Sequence, residues 1–262
     1  MSNVVSNAVS DIVDAIRLRR VWIALAAEDI GDQHRRTTLG PLWLLINYLA
    51  FAGTFIFVFS SDGARADYAA YVALGLLVWF YIMEVIGAGV ALFVREDSLI
   101  KGTTLPISVY VLRLTMQSVI RGGYEIIGCI AILAFCGIGL SMAWLWSGLG
   151  IVLVLLTAPA AITVVAFFGA FFPDAQFLVN NFLRVAMFLT PVFWIHGGED
   201  KLRSAFYHWN PFTYYLEIVR MPILTGAFPN HAFLVATSIT CLLWVLAVLM
   251  LGRFRKQLVL FL

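Results

Sequence analysis

From Gly148 to Phe171 the chain runs without one charged side chain. A helix of that length crosses the hydrocarbon core of a bilayer, which is about 30 Å thick and needs roughly 20 apolar residues. Five further stretches, at 42–60, 69–93, 107–135, 177–195 and 231–251, are long and predominantly apolar, with at most three charged side chains in any one. A chain with six such stretches has too little polar surface to cover a water-soluble globule. Hydrophobic residues make up 62% of the 262 and charged residues 12%, against about 25% charged in soluble domains. The expected fold is an all-α membrane protein: a single transmembrane domain over 1–262, with six transmembrane helices and no linker, internal repeat or low-complexity tract.

The flanks add detail. Residues 11–30 place Ile12, Ile16, Ile23 and Ile30 on one helical face, with Leu18, Trp22 and Leu25 beside it and Asp14, Arg17 and Glu28 opposite. This predicts an amphipathic helix in the membrane interface, with Arg17, Arg19 and Arg20 near anionic headgroups. The first twenty residues lack the apolar core of a signal peptide before Arg17, Arg19 and Arg20. Loops are expected at Asp62–Asp67, Val94–Pro106, Gly137–Ser147 (with Trp144 and Trp146 at headgroup level) and Phe172–Asp174. With six spans, the N-terminus, loops 94–106 and 172–176 and the tail share one side, which holds ten Lys and Arg; the opposite side holds four. That asymmetry predicts both termini in the cytoplasm.

Charges inside spans come next, because a charge at bilayer depth costs several kcal/mol, about 2.5–3.5 on insertion scales. Arg121 and Glu125 are four residues apart and can pair on one face of the third span; Glu84 lies deep in the second. They read either as an ion relay or as an internal pair plus a carboxyl hydrogen-bonded between helices. Arg113 and Arg184 lie nearer span ends and are expected to snorkel. Cys129, Cys136 and Cys241 fall in apolar stretches and read as small core hydrophobes. The four histidines, His34, His196, His208 and His231, are scattered, so no metal site is expected. No G-x-S-x-G, H-E-x-x-H or G-x-x-x-x-G-K-[ST] motif occurs. If ATP drives this protein, another subunit binds it.

Residues 196–230 are too polar to span. Asn210-Pro211 reads as an N-cap and first helical position, and Gly226 as a helix stop. Leu202, Phe206, Tyr207 and Trp209 precede that helix; Phe212, Tyr214, Tyr215, Ile218 and Met221 lie within it. Two short re-entrant helices at the outer face, between spans five and six, are expected. Their aromatics, with Trp194, form either an interfacial belt or an exit gate able to stack on sugar rings. A second row on the first span, Tyr48, Phe51, Phe55 and Phe59, recurs at helical spacing. It is either a packing stripe or a channel wall.

Several stretches together resemble a known family. Thr38-Leu39-Gly40-Pro41-Leu42-Trp43 is similar to the T-x-L-G-x-x-W entry of polysaccharide-export ABC transporter permeases, which export O-antigen, capsule or teichoic acid chains. Ser98-Leu99-Ile100-Lys101 with Leu105-Pro106, Phe172-Pro173-Asp174, Thr190-Pro191-Val192 and Trp209-Asn210-Pro211 with Arg220 follow in that family's order, over residues 20–225. The family often has Arg where Pro173 stands, and that departure weakens the case for a second ATPase contact there. The resemblance implies a homodimer in the bacterial inner membrane with two copies of a separate ATP-binding subunit that holds ATP and Mg; no cofactor is implied on this chain, and no nucleic acid. It implies contact with that subunit through the 11–30 helix and through Arg95, Glu96, Asp97, Ser98, Leu99, Ile100 and Lys101. It also implies a channel for a lipid-linked glycan that is closed outside by the 199–225 helices. Rival readings are a permease of the same fold for a drug or small lipid, an integral-membrane transferase and a secondary transporter. A transferase needs paired acids at the surface, and the pairs available, Glu96-Asp97 and Glu199-Asp200, also read as solvated loops. A secondary transporter is disfavoured by the few charges in the spans and the absence of a broken-helix pair.

Overall fold

A computed structural model describes residues 2–59, 65–195 and 201–261. The expectations for Asp62, Gly63, His196, Glu199 and Asp200 lie outside the described residues. The described residues are helical and carry no strand.

The expected 11–30 helix is two helices, α1 (Ser2–Arg17) and α2 (Arg19–His34). They break at Leu18, whose ψ of 22° leaves the helical region, and the Trp22 indole spans the break by donating to the Ala15 carbonyl at 3.1 Å. The break dissolves the single isoleucine face: Ile30 is buried while Ile16 and Ile23 are exposed. Helix α1 packs on the chain's last helix and α2 on the third span. Asp11 on α1, only 3% exposed, accepts from the backbone N–H of Ile107 (3.3 Å) and Ser108 (2.9 Å) and pairs with Arg255 at 3.0 Å. It thus caps a helix start whose own N-cap, Pro106, has no side-chain oxygen.

Helices α3 (Leu42–Phe59), α4 (Arg65–Val90), α7 (Ile107–Phe135), α8 (Trp144–Phe171) and α12 (Asn230–Phe261) contain five stretches long and apolar enough to cross a membrane. Trp144 and Trp146 sit in the first turn of α8 rather than in the preceding turn, and the basic tail continues α12 rather than leaving it. The second span stops at Val90, earlier than expected. The chain then bends into α5 (Leu92–Arg95) and α6 (Asp97–Gly102), anchored by buried Leu92, Phe93 and Ile100.

The expected fifth span, 177–195, is the shorter α9 (Ala175–Leu189). Fifteen residues rise only about 22 Å. Pro191 explains the stop: its ring disfavours helical backbone in the residue before it, and Thr190 is extended at ψ 140°. The segment after it forms α10 (Lys201–Trp209) and α11 (Pro211–Thr225), with α11 bounded as its capping residues predict. Asn210 accepts from the Phe212 N–H at 2.9 Å, and Gly226 closes α11 at φ 71°.

Helix α4 is the centre, with 72% of its apolar window buried among α3, α7, α8, α9 and α11. Small residues let its neighbours approach. A Cβ on Gly169 of α8 would stand 1.8 Å from the Val90 carbonyl oxygen, so only glycine fits that crossing.

Candidate functional site

Helices α3, α4, α7 and α9 enclose a cleft of about 780 Å³. Its wall combines aromatic rings (Tyr48, Phe51, Phe80, Tyr81, Phe188) with Asn47, Ser118 and four charged side chains, Glu84, Arg121, Glu125 and Arg184. The sequence flagged all four charges, and the structure brings them to one cavity. The pairing differs from expectation. Arg121 turns away from Glu125 and donates to Glu84 on α4, and its other terminal nitrogen donates to Gln33 on α2 at 2.6 Å. The one guanidinium is shared by two carboxyls of the cleft, and it compensates Glu84 across the helices rather than Glu125 on its own helix. Glu125 keeps one carboxyl oxygen buried with no hydrogen bond, and among the described residues Arg184 forms no ion pair.

The aromatic row on α3 divides. Tyr48 is 1% exposed, donates to the Ala73 carbonyl at 2.7 Å and packs edge-on to Phe80, while Phe51 meets Phe80 edge-on at 5.5 Å; both line the cleft. Phe55 and Phe59 instead stack on Phe193 at 5.1 and 5.7 Å, beyond the cleft lining. The aromatics of α10 and α11 also divide. Phe212 packs edge-on to Trp79, and buried Tyr215 reaches Thr240 at 3.0 Å, so both are core. Trp209 is 87% exposed, Tyr214 donates to the His208 carbonyl, and Tyr207 reaches Glu217.

The stretch between α9 and α10 is held by side chains. Arg220 on α11, fully buried, donates to the carbonyls of Pro191 (2.9 Å) and Val192 (3.3 Å) and lies 3.7 Å over the Tyr71 ring. Tyr71 donates to the Pro191 and Trp194 carbonyls, Tyr68 to Phe193, and Asn210 to the Thr190 hydroxyl, while the Trp194 indole donates to the Phe188 carbonyl. These donors replace the helical hydrogen bonds that Pro191 interrupts, as non-helical backbone in an apolar setting requires. Glu217, on the same helix as Arg220, has its carboxyl pushed above the usual range by burial, with Arg220 and the Tyr207 hydroxyl opposing.

On the opposite side, the 95–101 residues separate by exposure. Arg95, Ser98, Leu99 and Lys101 are exposed and Ile100 is buried; Glu96 is drawn to Arg95 and Arg113, and Asp97 pairs with Lys101 at 2.9 Å. Arg113 does not snorkel, because it binds Asp29 and Glu96. Of the cysteines, all free, only Cys129 is buried; Cys241 is exposed. Asp29, Gln33, Tyr68 and Tyr71 carried no expectation. A donor and acceptor 84 residues apart, such as Arg113 and Asp29, leave no local pattern to read.

The sequence profile described as "ABC-2 type transporter" matches residues 20–224. Two known proteins from Klebsiella pneumoniae, each described as "O-antigen export system permease protein RfbA", are similar. One is 23% identical over 239 residues, covering 89% of this chain and 90% of the relative. The other is 22% identical over 194 residues, covering 72% and 74%.

Proposed function

For a chain that belongs to the ABC-2 type transporter family, we propose the role of membrane-spanning subunit in an exporter of lipid-linked polysaccharide across the bacterial inner membrane. The chain supplies the path and not the chemistry: a separate subunit binds ATP and Mg, and two copies of each chain assemble. Helix α9 completes a sixth span with the irregular 190–195 segment, both termini are cytoplasmic, and α10 and α11 fold back from the outer face. Helix α1 lies in the interface, with exposed Val5, Val9, Val13 and Ile16 toward lipid.

The cleft carries the reading. Sugar hydroxyls need both donors and acceptors, which Arg121, Arg184, Glu84, Asn47 and Ser118 supply; sugar C–H faces pack on rings such as Phe51 and Phe188. Weak, repeated contacts of this kind let a chain slide, where one deep charge well would hold it. The description of the relatives as O-antigen export permeases supports the same substrate class. ATP-driven closure of the partner subunits, passed on through 95–104, would switch the dimer between two packings.

The test is export in cells that lack the chain but make the lipid-linked glycan. Restored surface glycan, lost on Phe51→Asp together with Phe188→Asp while the chain still co-purifies with its ATPase, supports the reading. Restored drug or phospholipid efflux without surface glycan replaces it with the small-substrate alternative.

A further inference from the structure

Arg113 stands in the second turn of α7, where three elements meet. Its Nε and Nη2 donate to the two carboxylate oxygens of Asp29 on α2, both at 2.6 Å. Its Nη1 donates to Glu96 Oε2 at 3.2 Å, in the bend between α5 and α6. Gln117, one turn further along α7, donates to Asp29 as well. The three charged side chains are withdrawn from solvent, at 16% exposure for Arg113, 22% for Asp29 and 13% for Glu96. A forked guanidinium–carboxylate pair is directional as well as strong, and partial burial strengthens it.

The backbone alone could not make these elements move together. Helix α6 has six residues, too few for stability on its own. It is bent away from α5 at Glu96 and leaves through extended Thr103. A push on its exposed Leu99 would be absorbed by those bends unless side chains bridge them. Three bridges exist: the buried Ile100, the Thr103–Tyr110 hydroxyl contact at 2.9 Å, and Glu96–Arg113. Among them, only the last also grips α2. One turn beyond Asp29, Gln33 receives Arg121, whose other arm binds Glu84 in the cleft wall. The α2–α7 pair is therefore bridged twice, and its second bridge ends in the candidate path.

We propose that Arg113 is a positioning residue that locks α2, the α5–α6 bend and α7 into one body, so that force on the exposed face of α6 reaches the cleft instead of flexing the 95–104 segment. This rests on the exporter reading for the source of the force, but the lock itself does not.

The test separates the two. Spin labels at Leu99→Cys and Val21→Cys, both exposed positions, with alanine at Cys129, Cys136 and Cys241, report the α6–α2 distance in lipid. The unaltered lock gives one narrow distribution. Arg113→Lys and Asp29→Asn keep the fold and broaden it, because an ammonium cannot hold both oxygens of Asp29 and Glu96 together. Arg113→Gln is the harsher variant, and the two milder ones decide the result if it fails to fold. Distributions as narrow as the parent's in both mild variants overturn the lock. In the assembled complex, ATP should change the maleimide labelling rate of Leu202→Cys on α10, and Arg113→Lys should reduce that change about tenfold while ATP hydrolysis continues. An undiminished change overturns the transmission role. If no ATP-binding subunit associates with the parent chain, the exporter reading falls and the distance measurement alone judges the lock.

Discussion

Alanine at Gly75 should destabilise the chain through a single buried side chain. A Cβ there stands 2.2 Å from Arg220 Nη2 and 2.7 Å from the Val192 carbonyl oxygen. The methyl group and the guanidinium cannot share the space, and Arg220 is fully buried with no solvent to retreat to. Displacing it weakens its bonds to the Pro191 and Val192 carbonyls and its stacking on Tyr71. A hydrogen bond to a charged group contributes about 1.5–3 kcal/mol, a desolvated cation–π contact about 2 kcal/mol, and breaking a buried ionic contact costs about 3–5 kcal/mol in all. Alanine returns about 1 kcal/mol of helix propensity. The net expectation is a loss of about 3 kcal/mol. Denaturing-detergent titration in micelles measures it, with Gly123→Ala as control, since nothing lies within 4 Å of that position. Adding Arg220→Met to Gly75→Ala should recover part of the loss, because the clash with the guanidinium is then gone and only the one with the Val192 carbonyl oxygen remains. A Gly75→Ala chain as stable as the Gly123→Ala control would refute the view that Arg220 is wedged against α4.

Arg121→Gln should cost about 3 kcal/mol by stranding Glu84, with Glu84→Gln in the same chain recovering most of it; thermal unfolding of the two variants in lipid decides. Asp11→Ala removes the cap supplied to α7 from α1 and should cost about 1–2 kcal/mol, read as faster hydrogen exchange at the Ile107 and Ser108 amides. Leu99→Asp, at an exposed site, should change stability by less than about 0.5 kcal/mol yet abolish co-purification with an ATP-binding subunit.

Features carried by local chemistry were legible in the sequence. Asn210-Pro211 and Gly226 mark the ends of α11 because capping depends on the residues at the ends themselves. The helices α3 and α7 lie where the apolar runs are. The charges Glu84, Arg121, Glu125 and Arg184 stood out because the bilayer makes any charge in a span conspicuous. What depends on distant partners was not legible. The pairing of Arg121 was misread because Glu125 is close in sequence and Glu84 is close in space. Phe212 and Tyr215 looked like gate aromatics, but α11 turns them into the core against α4 and α12. The break at Leu18 has no proline or glycine to announce it, and it arises where α1 docks on α12 while α2 docks on α7.

The position of α9 ties the cleft to the segment that leads into α10 and α11. Arg184 and Phe188 line the cavity, and within eight residues of them Thr190, Pro191 and Val192 are held by Asn210, Arg220 and Tyr71. A helix of fifteen residues is stiff on this scale, so α9 cannot tilt to widen the cleft without moving the carbonyls that Arg220 and Tyr71 grip. Those grips come from α11 and α4, the one turned back between the spans and the other the most buried helix of the bundle. Opening the cleft by a shift of α9 breaks the Tyr71 bonds to the Pro191 and Trp194 carbonyls, and it breaks the Arg220 bonds as well unless α11 follows. If α11 follows, Arg220 keeps its carbonyl partners; if it does not, a buried cation is left unpaired in an apolar interior. The lower-cost route has α9, α10 and α11 moving as a unit against α4, which puts the sliding surface at Tyr68, Tyr71 and Gly75.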